Sequence, residues 1–336
     1  MNIAIIGCGR IGRVHIQNIT SSVPEMNIKI AADPYFTKEG ETFAREHGIP
    51  IVTKDVDCIF EDPEIDAVLI CSSTDTHAPL IMQAAAAGKH IFCEKPVDHS
   101  VAKVKEALDA VKKADVKLQI GFVRRFDHNH HAVYEAVRSG KIGDVQILRI
   151  SSRDPAPPTI DYVRRSGGIF YDMMIHDFDM IRFLANSEAT EISAAGSVLI
   201  DPAIGAEGDV DTAVVTIKFE NGAIGTIDNS RQAVYGYDQR IEVFGSKGSV
   251  IDENDIPNTV VVTTADESSY GTCYKVMWDR YTQAFIDEMK SFADAVTNDK
   301  TPLITDLDGL YPVLMAAAAN KSLKEGRSVK ISEVDC

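Results

Sequence analysis

The sequence predicts an α/β protein with two domains: a doubly wound parallel sheet, then an α+β domain with a large, mostly antiparallel open sheet. In the first third, short runs rich in Ile and Val alternate with helical patterns, which is typical of parallel strands buried on both faces. After about residue 122, the turn signals ENG and SKG join strand-like runs and favour hairpins. A chain of 336 residues can form two cores. We therefore predict domains at residues 1–122 and 123–336.

The first domain is predicted segment by segment. Its strands are expected at NIAIIGCG, NIKIAAD, AVLICSS, HIFCEKP and KLQIGF. Between them, HAPLIMQAAAAGK is expected to form a helix that Gly88 closes, and SVAKVKEALDAVKKA a helix with Ser100 as N-cap.

The second domain mixes helices and strands. A helix near HHAVYEAVRSG precedes the strand DVQILRISSRD, a Pro-rich segment and the helix GGIFYDMMIHDFDMIRFL. Strand-like runs then extend from Ile192 to about Val262, with hairpins at ENG and SKG. Two helices follow, WDRYTQAFIDEMKSFADAV and LDGLYPVLMAAAANKSLKEG.

The charge balance argues against two classes of partner. Asp and Glu number 50 against 34 Lys and Arg, a formal net charge of -16. Nucleic acids and anionic membrane surfaces attract basic patches, so we expect neither as a partner. No apolar run approaches the roughly 18 residues of a membrane span. The six cysteines form no C-x-x-C pair, which favours a reducing cytoplasm.

The segment IAIIGCGRIGRVH indicates a nucleotide site. Gly7, Gly9 and Gly12 have G-x-G-x-x-G spacing directly after a predicted strand. The first glycine permits a tight turn, the second lets backbone approach a pyrophosphate, and the third allows close helix packing. Alone, the motif also fits a turn that binds nothing. Asp33 ends the second strand about 20 residues further on, where an acid binds ribose hydroxyls and repels a 2′-phosphate. The combination predicts a Rossmann site that prefers NAD to NADP.

Other cofactor contacts are expected from neighbouring loops and one later helix. They are Arg10, Ile11, Ser72, Ser73, Thr74, His77, Glu94, Lys95 and Tyr281. For Tyr281 the alternative is an aromatic residue of the core.

The segment CEKPV places two charged residues at the end of the strand that begins at His90. Pro96 disfavours helical backbone at Lys95 and ends the strand. Glu94 and Lys95 therefore lie at a carboxyl edge, where open α/β sheets bind ligands. The alternative is a charged surface turn.

The stretch GGIFYDMMIHDFDMIRFL carries polar residues at helical spacing. In one helix, Asp172, His176, Asp179 and Phe183 would share a narrow stripe, preceded by a Gly pair that clears space for a ligand. The alternative is an ordinary solvated face. Because an Asp beside a His fixes its tautomer and stabilises the imidazolium, the pair could act as a general base near neutral pH.

Taken together, these motifs resemble a known family. GCGRIG, CEKP, GFVRRFD, SRDPAPP, GGIFYDMMIHDFDM and DNSRQAVYGYDQRIEVFGSKGSV are similar to segments of the Gfo/Idh/MocA oxidoreductases, and more narrowly of their inositol 2-dehydrogenase branch. E-K-P and D-x-x-x-H mark the family, whereas R-D-P-A-P-P and Y-G-Y-D-Q-R point to the branch. The resemblance spans nearly the whole chain.

The resemblance implies an activity and a set of catalytic residues. The activity is NAD-dependent oxidation of myo-inositol to its 2-keto form, with Lys95, Asp172 and His176 as the catalytic set. His176 would take the hydroxyl proton, Asp172 would orient His176, and Lys95 would stabilise the developing alkoxide. The resemblance also implies that the open sheet mediates dimers and tetramers.

Substrate contacts are expected beyond the catalytic set. In one subgroup of the branch the segment before the Pro-rich stretch supplies His and Asn, and this chain has Ser152 and Asp154 there. The expected contacts are Arg125, Asp154, Asp179 and Tyr235, besides Lys95, Asp172 and His176. The alternatives for Arg125 and Tyr235 are a surface salt bridge and an aromatic residue of the sheet.

Other functions remain open at the sequence level. The substrate could be another cyclitol or a pyranose sugar, for example scyllo-inositol or the 3-position of a glucoside. A more distant alternative is a non-catalytic NAD-binding regulator that senses sugars. Asp127, His128, His130 and His131 could suggest a metal, but hydride transfer to NAD needs none and no further cluster completes a ligand set. We therefore expect no metal.

Overall fold

The computed structural model describes residues 1–335, so Cys336 lies outside the described residues. The chain divides into two compact units. The first comprises Met1–Val123 and Thr282–Val313, and the second comprises Arg124–Tyr281 and the residues from Leu314 onward. This division differs from the predicted one, because residues 282–313 return to the first unit. Within residues 1–335, no helix has both the length and the apolar character needed to cross a membrane.

The first unit is built on a six-stranded parallel sheet with strand order β3-β2-β1-β4-β5-β6. The predicted doubly wound sheet is confirmed. Its elements are β1 Asn2–Ile6, α1 Arg10–Ser22, β2 Asn27–Ala32, α2 Lys38–Glu46, β3 Ile51–Thr53, α3 Asp57–Glu61, β4 Ala67–Ile70, α4 Thr74–Ala86, β5 His90–Glu94, α5 Val101–Ala114 and β6 Leu118–Gly121.

The core of this unit explains why the later segment returns to it. All of β4 is buried, as expected for a strand covered on both faces. Residues 277–297 form one long helix, whose Met289, Phe292 and Ala293 belong to the same buried cluster as Ile3 and Ile16. The helix therefore completes the hydrophobic core of the first unit.

The second unit contains a seven-stranded sheet with order β12-β11-β7-β10-β9-β8-β15. Its pairs are antiparallel except for β7 and β10, which are parallel. The predicted hairpins at ENG and SKG are confirmed as β9–β10 and β11–β12. The elements that follow β6 are α6 His128–Arg138, β7 Val145–Arg153, α7 Ile160–Ser166, α8 Ile169–Asp172, α9 Ile175–Ala185, β8 Ala189–Ser197, α10 Pro202–Ala206, β9 Thr212–Phe219, β10 Ile224–Ser230, β11 Asp238–Gly245, β12 Gly248–Asp252, β13 Val261–Thr263, β14 Ser268–Tyr270, α11 Met277–Thr297, α12 Asp306–Glu325 and β15 Val329–Lys330.

The two faces of this sheet differ in burial. Along β9 exposed or partly exposed residues alternate with buried ones, so only one face is covered. The uncovered face nevertheless carries large apolar side chains. They are Ile147, Val214, Ile224, Phe244 and Ile251, all at least 39% exposed. Exposed apolar groups on one face are typical of protein interfaces.

The stretch predicted as a single helix forms two, α8 and α9. The amide of Met174 bonds to the carbonyl of Ile169, five residues earlier, which interrupts the regular four-residue pattern. Gly168 precedes α8 at φ +84°, and a Cβ there would lie 2.8 Å from a carboxylate oxygen of Asp209. The left-handed backbone of Gly168 requires a glycine, and because Gly167 and Gly168 also line a cavity, the predicted space for a ligand stays a prediction.

Candidate active site

The glycine loop between β1 and α1 has two glycines that the fold requires and one that it does not. Gly7 has φ +90°, and its Cβ would lie 2.6 Å from the backbone of Ser72. A Cβ at Gly12 would lie 2.0 Å from the carbonyl oxygen of Gly7. At Gly9, by contrast, a Cβ would meet no atom of the described residues within 4 Å. Open backbone at the N-terminus of α1 fits a pyrophosphate, which needs close access to the amides.

Asp33 lies beside this loop, as the sequence predicts. One carboxylate oxygen accepts a hydrogen bond from the amide of Cys8 at 2.8 Å, and the other accepts one from the amide of Tyr35 at 2.8 Å. These contacts fix the carboxylate next to the glycine turn. Because each carboxylate oxygen has two lone pairs, each can also accept a ribose hydroxyl.

Other predicted cofactor residues lie at the beginnings of α1 and α4, whereas His77 lies inside α4 and is buried. Arg10 and Ile11 begin α1, while Ser72, Ser73 and Thr74 form the turn into α4. His77 is only 1% exposed. Its ring nitrogens lie 2.8 Å from the carbonyl of Pro96 and 3.1 Å from that of Ser72, and burial lowers its pKa. His77 thus ties two turns together and presents no nitrogen to a cofactor, contrary to the prediction.

Glu94 ends β5 and Lys95 directly follows it, as predicted. A carboxylate oxygen of Glu94 lies 2.8 Å from Nε2 of His15, a fully buried residue of α1. Glu94 itself is 8% exposed, whereas Lys95 is partly exposed. Sequence analysis missed His15, because nothing in the local pattern of α1 links it to β5.

Asp172 is held by two side chains that the sequence analysis also missed. One of its oxygens accepts a hydrogen bond from the hydroxyl of Tyr162 at 2.7 Å. The other accepts one from the guanidinium of Arg231 at 3.1 Å. Arg231 is 1% exposed and also lies 3.6 Å from Asp209. No local signal identifies Arg231, which directly follows β10.

These contacts define what Asp172 can do. Both carboxylate oxygens of Asp172 accept hydrogen bonds, one of them from a buried guanidinium, so the side chain is held in one orientation. His176 is partly exposed and begins the first turn of α9, after the break that follows Asp172. An ionised carboxylate near a histidine favours the protonated ring. The local arrangement suits an orienting acid beside a proton acceptor.

Asp154 lies in the electrostatic field of Asp172. Burial and, to a smaller extent, the negative charge of Asp172 raise the pKa of Asp154 to about 6, although the charge of Arg231 acts in the opposite direction. The backbone of Asp154 is fixed between Ser230 and Ala233 by two hydrogen bonds. Asp154 is thus a carboxyl group of this unit whose charge changes near neutral pH.

Ser152, its neighbour in the pattern, points elsewhere. Its hydroxyl lies 3.1 Å from Arg124 and also donates to Asp177, which accepts a further bond from Asn229 at 2.9 Å. All four residues are at most 5% exposed. Ser152 therefore belongs to a buried polar network, and only Asp154 remains from that pair as a substrate candidate.

Two predicted substrate residues bind each other. Arg125 donates through Nε to Asp179 at 2.9 Å, and the two side chains are 2% and 1% exposed. The guanidinium also lies over the ring of Phe183, 4.3 Å from its centroid. Their mutual ion pair explains the polar stripe without a ligand, so the structure does not support direct substrate contacts for Arg125 and Asp179.

The two predicted tyrosines differ in exposure. Tyr235 is 42% exposed, and its hydroxyl donates to Asp238. Tyr281 is fully buried and packs edge-on against Tyr237, with ring centroids 5.9 Å apart. Tyr281 is therefore an aromatic residue of the core, which was the alternative to a cofactor contact. Of the two tyrosines, only Tyr235 stays a substrate candidate.

The region of the histidine cluster contains a buried ionic network. In residues 1–335, Asp127, His130 and Asp252 place ligand-type atoms within 4.8 Å of one another. Arg280 lies 3.3 Å from Asp127 and 3.5 Å from Asp252, so a guanidinium already supplies the positive charge. Burial lowers the pKa of His130 to about 3.

Comparison with protein-family models matches both parts of the chain. Residues 1–122 match a model described as an oxidoreductase family with an NAD-binding Rossmann fold. Residues 130–251 match the GFO/IDH/MocA C-terminal domain.

Several relatives match over almost the full length. The chain is 47% identical to the myo-inositol 2-dehydrogenase of Thermotoga maritima, over 99% of both chains. It is 42% identical to the inositol 2-dehydrogenase of Rhizobium meliloti, over 98% of both chains. A crystal structure of scyllo-inositol dehydrogenase from Lactobacillus casei, with bound NAD(H) and scyllo-inositol, superposes with a TM-score of 0.92 at 29% identity, over 99% of both chains.

Gly12, which has no room for a side chain, and Gly9, which has room, should lose different properties when they are replaced by alanine. Gly12→Ala should lower the free energy of unfolding by about 1–3 kcal/mol, because the added methyl overlaps the Gly7 carbonyl. Gly9→Ala should change stability by less than about 0.5 kcal/mol, yet weaken NAD binding about tenfold or more, because its methyl enters the space that a pyrophosphate needs. Urea unfolding and NAD titration of both variants measure this. Equal losses of stability, or unchanged NAD affinity in Gly9→Ala, would contradict the assignment.

Proposed function

We propose, from the premise that the chain belongs to the Gfo/Idh/MocA family of oxidoreductases, that it oxidises myo-inositol to 2-keto-myo-inositol with NAD. The observation that carries the proposal is the Asp172 carboxylate, held by Arg231 and Tyr162 four residues before His176. It stands in a chain 47% identical to a named myo-inositol 2-dehydrogenase.

The proposed chemistry divides the work between cofactor and protein. When bound, NAD would supply the hydride acceptor, and the glycine loop and Asp33 would hold its pyrophosphate and adenosine ribose. His176 takes the hydroxyl proton on its ring nitrogen, and Asp172 stabilises the resulting imidazolium. Lys95 donates a hydrogen bond to the same substrate oxygen and stabilises its developing negative charge.

Arg231 sets the role of Asp172 in this scheme. Because both oxygens of Asp172 already accept hydrogen bonds from Tyr162 and Arg231, its proposed role is not to take the substrate proton. Its proposed contribution is to fix the orientation and tautomer of His176. The base in the scheme is therefore the imidazole.

The preference for NAD over NADP is proposed from Asp33. Its carboxylate is fixed beside the glycine turn by the amides of Cys8 and Tyr35. A carboxylate at this position binds ribose hydroxyls and repels the extra phosphate of NADP.

The proposed assembly is a homotetramer built on the open sheet. The support is the uncovered sheet face with Ile147, Val214, Ile224, Phe244 and Ile251. A second copy of the chain would cover these side chains, and burying apolar area stabilises association. A cytoplasmic location, inferred from the cysteines, stays a prediction.

A second candidate substrate is scyllo-inositol. It is favoured by the structural match to the Lactobacillus casei enzyme with that compound bound. Other cyclitols and pyranoses rank below these two. The non-catalytic regulator ranks last, because Lys95, Asp172 and His176 are all present.

The proposal is tested by NADH formation with a panel of polyols. Myo-inositol should give the highest kcat/KM among myo-, scyllo- and D-chiro-inositol, glucose and xylose. His176→Ala should lower kcat by about 10²–10⁴-fold and leave NAD affinity unchanged, because the histidine acts on the substrate proton. His131→Ala is the matched control, since that histidine is a half-exposed residue of α6. Unchanged turnover in His176→Ala would remove it from its role, and NADH formation with none of the polyols would overturn the function.

A dependence on pH follows from Asp154. Its pKa of about 6 means that the carboxyl is neutral below pH 6 and becomes a charged acceptor above it. Because a carboxylate accepts substrate hydroxyls better than a neutral acid does, KM for myo-inositol should fall as pH rises through 6. Asp154→Asn should raise KM about tenfold at pH 8 and remove that inflection. An identical inflection in Asp154→Asn would exclude Asp154 from substrate binding.

A further inference from the structure

Glu288 is an acid on the apolar face of α11. It is fully buried, and neither carboxylate oxygen has a hydrogen-bond partner in residues 1–335. Phe285 and Phe292, three residues before and four residues after it, lie on the same helical face and are 2% and 0% exposed. Buried polar groups are almost always paired, so an unpaired carboxyl in a core requires an explanation.

The contacts of its neighbours locate Glu288 in the first unit. The ring of Phe285 lies 5.6 Å from that of His15, and the ring of Phe292 lies 6.0 Å from that of Phe92. His15 and Phe92 are themselves 5.3 Å apart. Glu288 therefore lies between these two aromatic contacts, next to His15.

A second contact fixes the same helix turn against β6. The side chain of Gln119 donates to the backbone carbonyl of Glu288 at 3.1 Å. Gln119 pairs with Phe92 of the adjacent strand β5, and Gly121 pairs with Glu94. A Cβ at Gly121 would lie 3.1 Å from the Glu94 carboxylate, so that carboxylate lies over the end of β6.

The neighbouring pair of Glu94 and His15 links this interior to the sheet edge. Nε2 of His15 lies 2.8 Å from Glu94, and Nδ1 of His15 has no hydrogen-bond partner among residues 1–335. Glu94 is the last residue of β5, at the carboxyl edge where such sheets bind ligands. His15 thus has one nitrogen on the acid at the edge and one that is unengaged.

The titratable groups around Glu288 come from several elements. Glu94 of β5, which contacts His15 of α1, acts on Glu288, and the thiol of Cys71 after β4 is influenced by Glu94, Glu288, Cys93 and Cys8. Burial raises the pKa of all three thiols, so they are neutral at physiological pH. Burial and the charge of Glu94 together hold the pKa of Glu288 well above its usual range. The Glu94–His15 pair and Glu288 therefore belong to one buried group of ionisable side chains, in which burial favours the protonated form of Glu288.

We propose that His15, Glu94 and Glu288 form a proton-holding cluster that releases a proton to solvent when the oxidised cofactor binds and keeps it when the reduced cofactor binds. This inference rests on the proposed function in one respect, the placement of Glu94 and Lys95 beside the nicotinamide. The nicotinamide ring is cationic in NAD⁺ and neutral in NADH. A cation beside Glu94 favours the ionised cluster, whereas a neutral ring does not.

The proton balance of a turnover is then complete, because the loss and gain of the cluster cancel and His176 later releases the substrate proton to solvent. The cluster gives one proton to solvent as NAD⁺ binds. During hydride transfer the substrate proton goes to His176 and the nicotinamide ring becomes neutral. The cluster takes a proton back from solvent once the ring is neutral, and no other reactant is needed. Glu288 thus acts only through its charge, as a positioning residue, and the proposal gives it no contact with substrate or cofactor.

The test compares the affinities of NAD⁺ and NADH between pH 6 and 9 in the absence of any polyol. In the unaltered protein NAD⁺ should bind more tightly as pH rises, by up to about tenfold per pH unit, as linkage to one proton requires, while NADH affinity stays flat. Glu288→Gln keeps the shape of the neutral acid but cannot ionise, so the NAD⁺ dependence should disappear. Asp287→Asn is the matched control, since its carboxylate bonds Gln283 on the exposed side of the helix, and it should behave as the unaltered protein does.

A second measurement uses only the unaltered protein, so its result does not depend on whether Glu288→Gln folds. Calorimetry of NAD⁺ binding to the unaltered protein in phosphate and in Tris gives the number of protons released. A value near zero, or the same NAD⁺ dependence on pH in Glu288→Gln, would overturn the cluster. Proton release on NAD⁺ binding, without oxidation of any polyol, would support the cluster and refute the proposed function. Oxidation of inositol without proton release on NAD⁺ binding would support the proposed function and refute the cluster.

Discussion

The contact between Arg231 and Asp172 is the constraint on which the candidate site depends. A guanidinium with 1% exposure faces a carboxylate at 3.1 Å, and Tyr162 holds the other oxygen. Breaking such a pair leaves an uncompensated buried charge, which typically costs about 3–5 kcal/mol. The pair therefore holds the Asp172 carboxylate in one orientation. Arg231 reaches Asp209 as well, and Asp209 in turn occupies the space that the missing side chain of Gly168 leaves.

In the glycine loop of the first unit, the fold requires two of the three glycines and leaves space beside the third. Gly7 and Gly12 have no room for a side chain within the protein, whereas Gly9 has room that no described residue uses. Asp33 is anchored to the same turn through two backbone amides. The Glu94–His15 pair lies at the carboxyl end of β5, and the same unit buries Glu288 of α11. An anion-binding turn and an ionisable cluster at one sheet edge suit a cofactor whose phosphates are negative and whose ring changes charge.

Local signals in the sequence predict a large part of this arrangement. The glycine spacing, the acid after β2, the apolar strands and the ENG and SKG hairpins depend on neighbouring residues, and the structure has each of them. Long-range partners could not be predicted, because Arg231 lies 59 residues from Asp172 and His15 lies 79 from Glu94. The same limitation explains the errors. Arg125 and Asp179, 54 residues apart, satisfy each other, and the wide turn at Met174 divides a helix whose periodicity indicates a single one.

The central claim is that Lys95 and His176 act on the same substrate oxygen. The most direct test is a double-mutant cycle on kcat with Lys95→Ala, His176→Ala and the double variant. If both groups act on one oxygen, removing the second should cost little once the first is gone, so the double variant should be about as slow as the slower single variant. Losses that multiply, with the double variant slower by the product of the two single effects, would show independent action and contradict the account.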